Sequence, residues 1–151
     1  MGLDMYLNKK TYVKYWEHNG DDNYEVIVKK AGKVVESIDT KKITNIEEQV
    51  GYWRKANAIH QWFVDNVQGG VDECQESYVP VSKLQELLDI CLYIKKDNKL
   101  AEELLPTEDG FFFGPTDYDE WYLQTIDQTI EILEKLDLEN TTDDFYYQAS
   151  W

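Results

Sequence analysis

Between Gln49 and Gln68 the chain places Tyr52, Ala56, Ile59, Phe63 and Val67 at the three- and four-residue spacing of one helical face. This periodicity predicts a helix over about 51–67, opened by Gly51 and stopped by Gly69-Gly70. On a wheel at about 100° per residue, Trp53, Asn57, His60 and Val64 flank the apolar face on one side. Lys55 and Trp62 lie on the other flank, and Arg54, Ala58, Gln61 and Asp65 opposite. A helix resting on a single sheet does not carry large aromatics on both flanks without reason. One flank is therefore expected to be covered by more protein or to form a binding surface.

The segments before this stretch read as strands. Leu3, Met5 and Leu7 alternate with Asp4, Tyr6 and Asn8, and Tyr12, Val13, Tyr15 and Trp16 extend the pattern. His18 to Asn23 is a turn by composition, with Asn19-Gly20 at its centre. Tyr24–Lys30 and Lys33–Ile38 form a hairpin around Ala31-Gly32, and Ile43 and Ile46 mark a short strand or an extended lead-in to the helix. Behind it, Tyr78 to Val81 is extended because Pro80 biases its predecessor. Ser82 with Gln85 reads as a capping box for a helix over 82–97. Ala101–Leu105 is a helical turn stopped by Pro106, and Gly110 to Gly114 a buried strand or aromatic loop. Thr116 is the expected cap of a helix over 116–138, and Phe145 to Trp151 carries a final strand over about 144–150. Strands cluster mainly in 3–46 and helices follow, with one strand returning at the end. The expected fold is a single α+β domain over 1–151, an antiparallel sheet with about three helices packed on it.

Size and charge bound the function. A chain of 151 residues buries a core of its own without staples. No apolar run reaches membrane-spanning length, so no membrane association is expected. No basic region precedes a long apolar segment at the start, and Tyr6 stands where a myristoylation motif has Ser or Thr. Cys74 and Cys91, 17 apart, suit reduced thiols, and a cytoplasmic location is expected. The net charge is −15. Residues 1–75 hold 12 acids and 10 bases, whereas residues 76–151 hold 18 acids and 5 bases. A field of that sign repels phosphates, so direct nucleic-acid binding is not expected.

Several stretches resemble a family of small, uncharacterised bacteriophage and prophage proteins. They are Met1 to Leu7, Gly51 to His60 with Trp62-Phe63, Glu103 to Thr107, Gly110 to Gly114 with Tyr118-Asp119-Glu120, and Asp144 to Tyr147 with Ser150-Trp151. The resemblance runs the length of the chain and implies a phage accessory protein working in the cytoplasm of a host bacterium, in the manner of counter-defence proteins that sequester nucleotide signals.

The candidate ligand-binding residues are Trp53, Arg54, Lys55, Asn57, His60 and Trp62, with Tyr146, Tyr147 and Trp151 as neighbours. Arg54, the one arginine of the chain, suits a phosphate or carboxylate, and tryptophan rings suit a stacked base. With twice as many acids as bases in the chain, Arg54 also suits an internal salt bridge, with Asp65 or the acidic third helix. His60 reads either as a ligand-orienting base or as a buried histidine bonded to backbone. The two histidines and two cysteines have no zinc spacing, and Asp117, Asp119 and Glu120 read as helix-start acids, so neither metal nor cofactor is expected.

Three functional readings follow. The first is capture of a small anionic, nucleotide-derived ligand without catalysis, by a chain that forms a homo-oligomer. The second is an acidic interaction module or DNA mimic directed at a host protein. The third is a small phosphodiesterase-like hydrolase using His60 and a carboxylate.

Overall fold

The structure, a computed structural model, describes residues 2–110 and 113–151. In chain order its elements are β1 (Asp4–Tyr12), β2 (Lys29–Lys30), β3 (Lys33–Val34), β4 (Asn45–Arg54), α1 (Asn57–Asn66), β5 (Ser77–Val79), α2 (Val81–Lys96), α3 (Ala101–Leu104), α4 (Glu120–Glu134) and β6 (Asp144–Ser150). Four strands form one antiparallel sheet in the order β4-β1-β6-β5, and the helices pack on it. The fold is α+β, with four helices where about three were expected, because the Ala101 turn closes into the short α3.

Alternation along each strand decides the layers. Met5 and Leu7 of β1, Trp53 of β4, and Phe145, Tyr147 and Ala149 of β6 are all buried. They join Ile59, Phe63, Leu84, Leu87, Cys91, Ile126, Ile130 and Leu133 from the helices in one core. Among the described residues no helix lies on the opposite sheet face. Register places Tyr52, Tyr6 and Gln148 in one row, with Gln49, Asn8, Tyr146 and Tyr78 in the next.

The largest correction falls on Gln49–Lys55. These residues do not open a helix: β4 runs to Arg54, and α1 begins only at Asn57. Gly51 is a mid-strand residue, and a Cβ there would sit 2.9 Å from Ile132 Cγ2 and 3.2 Å from Leu7 Cβ. It is glycine because sheet and α4 close tightly at that point. Tyr52, expected in the core, is 39% exposed, while Trp53, placed on a flank, is fully buried. The two-residue period of the strand exchanges them. Downstream, α1 is buried nearly all round, including Asn57, Ala58, His60 and Trp62. It is therefore a central helix and not an amphipathic surface one.

Other boundaries shift for local reasons. The second helix starts at Val81 directly after Pro80, whose carbonyl accepts from Lys83 N at 2.9 Å, so Ser82 lies inside the first turn and caps nothing. For α4 the cap is Asp119, whose carboxylate accepts from Tyr122 N at 3.2 Å, and the helix covers 120–134 rather than 116–138. The expected final strand is present at Asp144–Ser150. In the expected hairpin the ladder shrinks to two residues a side, joined by Ala31 and Gly32 with φ of 51° and 80°. Positive φ at both central positions is the type I′ arrangement. Phe111 and Phe112, in the expected aromatic strand or loop, lie outside the described residues.

Candidate functional site

The junction between β4 and α1 concentrates most of the candidate residues, but it points them in different directions. Trp53 turns inward, and its indole N–H donates to Thr129 Oγ1 of α4 at 2.9 Å. Arg54 faces the open side of the sheet, opposite Asp4 in register, and is exposed. Among the described residues it forms no ion pair, so neither Asp65 nor α4 neutralises it. Beside it, the Tyr52 hydroxyl donates to Asp4 Oδ1, and that bond, followed by burial and the Asp4 charge, raises the tyrosine above its ordinary value. Lys55 turns the chain with φ of 54°, in the left-handed region. Its amide donates to Leu3 O at 2.7 Å, and its side chain runs between Gly2 and Gly114.

Asn57 is 4% exposed and acts as a clamp. Its Nδ2 donates to Phe113 O at 3.1 Å and Pro115 O at 2.8 Å, and its Oδ1 accepts from Glu108 N at 3.0 Å. All three bonds hold the segment before α4, which leaves this amide no free N–H to offer an anionic ligand. Trp62 is 6% exposed and packs edge-on to Phe63, so neither it nor Trp53 presents a face for a base to stack on. Tyr146 belongs to the open sheet face, with the Lys10 ammonium 4.0 Å from its ring centroid.

His60, Tyr147 and Trp151 do meet. Tyr147 stacks on Phe63 at 3.9 Å between centroids, and its hydroxyl lies 2.7 Å from His60 Nδ1. His60 Nε2 lies 2.9 Å from Asp72 Oδ2, and the Trp151 indole donates to Asp72 Oδ1 at 3.1 Å. A carboxylate only accepts, so Nε2–H donates to Asp72, and in the neutral ring Nδ1 then accepts from the Tyr147 hydroxyl. The result is an acid–imidazole–hydroxyl chain built from side chains, and not the backbone-bonded histidine that was the simpler expectation.

Such a chain activates a hydroxyl only where a substrate can reach it. Here His60 and Tyr147 are both fully buried, and among the described residues neither lines one of the clefts found. Burial, reinforced by Asp72 and Cys74, pushes Tyr147 well above its ordinary value, the opposite of what a nucleophile needs. The chain is a lock. It ties the last strand and the loop after Gly70 to α1. Asp72 was invisible as a partner in the sequence, since it stands in no periodic pattern.

One narrow cleft of about 10 Å³, room for a single water, adjoins Lys55 between the start of α1 and α4, lined also by Thr107, Asp117 and Trp121. Trp121 is 48% exposed, the most exposed indole among the described residues. Among the described residues no three His, Cys, Asp or Glu side chains converge as metal ligands, and no helix is long and apolar enough to cross a membrane. Cys91 is buried, which raises its thiol to about 12, and Cys74 is free and half-buried.

No protein-family model matches the chain, and neither does any curated protein or solved structure.

Proposed function

We propose that the protein is a non-enzymatic interaction protein that presents an acidic surface to a basic protein partner, in the setting of a phage or prophage accessory protein acting inside a host bacterium. The observation that carries this reading is the state of its carboxylates. Of the eighteen acids in residues 76–151, five (Glu76, Glu86, Asp127, Glu131 and Asp143) lie within 4 Å of a lysine, leaving thirteen without an ion pair among the described residues. Unneutralised charge of one sign stores self-repulsion that a partner of opposite sign relieves, and it steers such a partner in from a distance. The side chains suited to chemistry, by contrast, are bonded to one another inside the core.

The test is a titration against a purified lysine- and arginine-rich DNA-binding protein already loaded on duplex DNA. Displacement of the DNA, lost on replacing Glu102, Glu103, Glu134 and Glu139, all exposed and unpaired among the described residues, by lysine, supports the reading. Undisturbed DNA at low salt removes it.

A second reading, capture of a small anionic ligand, is favoured by one observation: Arg54 and Lys55 are adjacent, exposed and without ion pairs among the described residues. In this reading Trp121 supplies the stacking surface first sought in Trp53 and Trp62. Its test is equilibrium dialysis with cyclic and linear nucleotides, in which Arg54→Ala must lose whatever the native chain retains. If Arg54→Ala retains every nucleotide the native chain does, this reading is lost.

A further inference from the structure

Between β1 and β4 the chain leaves the domain as an arm, residues 14–44, and no residue from Lys14 to Gln49 is buried. The arm is not polar enough to want that exposure. Tyr24, Ile27, Val34 and Ile38 are 60%, 59%, 61% and 43% exposed. Its internal ties are local: the Asn23 amide bonds the backbone of Trp16 and Gly20, Asp39 caps a single 3-10 turn, and β2 and β3 share a two-residue ladder. A cleft of about 390 Å³ opens among Tyr15, Tyr24, Val26 and Ile27. A hairpin this short, with its apolar side chains in water, does not hold its order alone.

The same chain has a second uncovered surface. The helix-free face of the sheet presents Tyr6, Tyr12, Tyr52, Tyr78 and Tyr146, with Glu47 and Asp144 flanking Lys10 at the end nearest the arm. Tyrosine-rich surfaces of this kind suit protein contact, since each ring gives apolar area and a hydroxyl at low entropic cost. Charge sorts the two surfaces. The arm holds six lysines and six acids, so its net charge is zero and the rest of the chain carries the −15. Three of those lysines, Lys29, Lys30 and Lys33, crowd the hairpin tip and pair with no acid among the described residues. The face already holds one ammonium over a tyrosine ring, Lys10 on Tyr146.

We infer that the arm of one copy docks on the tyrosine face of a second copy, with the lysine tip against its acidic rim, in a reciprocal two-fold dimer. Each copy contributes one arm and one face, so a single contact repeated twice covers both uncovered surfaces. The inference stands apart from the acidic-surface reading, since it uses the electroneutral part of the chain.

Light scattering after gel filtration, across about 1–300 μM protein, tests it. The native chain is expected near twice 17.8 kDa. Lys29→Glu/Lys30→Glu/Lys33→Glu, all at exposed tip positions, is expected to give monomer that keeps the helical circular dichroism signal of the domain and melts at a temperature independent of protein concentration. Tyr12→Ser/Tyr78→Ser on the face is expected to do the same. A monomeric native chain over this range overturns the inference. So does a dimer that survives both sets of substitutions, because it would use another surface.

Discussion

The Tyr147 hydroxyl and the His60 ring, 87 residues apart in the chain, meet at 2.7 Å inside the core. This bond closes β6 over α1, and Asp72 completes it from the loop between α1 and β5. Three segments remote in sequence thus converge on one imidazole whose two nitrogens are both engaged.

Removing the hydroxyl leaves Nδ1 as a buried acceptor without a donor. Tyr147→Phe is expected to cost about 1–3 kcal/mol, read from urea unfolding midpoints. Asp72→Ala is expected to cost a similar amount, and because the two residues share His60, the double variant should cost less than the summed single costs. Strict additivity would show that the three side chains do not act as one network.

High pH should unfold the protein by ionising its buried thiol and phenols. A group whose folded pKa is raised lends stability that is whole below its unfolded pKa and is lost as pH rises toward the folded one. For Cys91 that window runs from 9 to about 12. For Tyr147 and Tyr122, both raised chiefly by burial, it opens at 10. Stability should therefore be flat up to about pH 9 with respect to these groups and fall above it. Tyrosinate absorbance should show Tyr147 and Tyr122 ionising only as the chain unfolds, and a titration in which all 11 tyrosines ionise while the fold persists would be inconsistent with this burial.

Gly51→Ala tests the close approach of sheet and α4. The new methyl would meet Ile132 Cγ2 at 2.9 Å, so a loss of about 1–3 kcal/mol is expected. Adding Ile132→Ala removes that clash and should make the Gly51→Ala change cheaper than in the native background. An equal cost in both backgrounds would mean that the strand is not where the structure puts it.

At Lys55 the left-handed backbone disfavours any side chain, so Lys55→Gly relieves strain while adding chain entropy to the unfolded state. The two effects are each of order 1 kcal/mol and oppose, so stability should change by less than about 1 kcal/mol. That makes Lys55→Gly, with Arg54→Ala, a suitable probe for nucleotide capture, since lost binding would report the missing charge and not a lost fold.

Much of the fold was legible from local patterns. β6 appeared at its observed bounds because Phe145, Tyr147 and Ala149 alternate cleanly, and α2 because Leu84, Leu87, Leu88 and Cys91 repeat at helical spacing. The stretch 49–56 misled because Gly51 and Trp53 fit a two-residue period while Tyr52 and Ala56 fit a helical one, and the sheet decided between them. The site was less legible for a physical reason. Whether Trp53, Asn57 and His60 face a ligand or a core depends on what covers the end of β4 and α1, and that cover comes from Thr129 over Trp53 and from Asp72, Phe113 and Tyr147 over α1. None of these partners lies within one helical turn of α1, so no periodicity within it announces them.

Native mass spectrometry of the tagged protein, purified at low salt from infected bacteria, tests the proposed function most directly. The account predicts a complex of the chain with a protein rich in lysine and arginine, dissociated by raising salt to several hundred millimolar. A chain carrying a stoichiometric small molecule and no protein partner would contradict it.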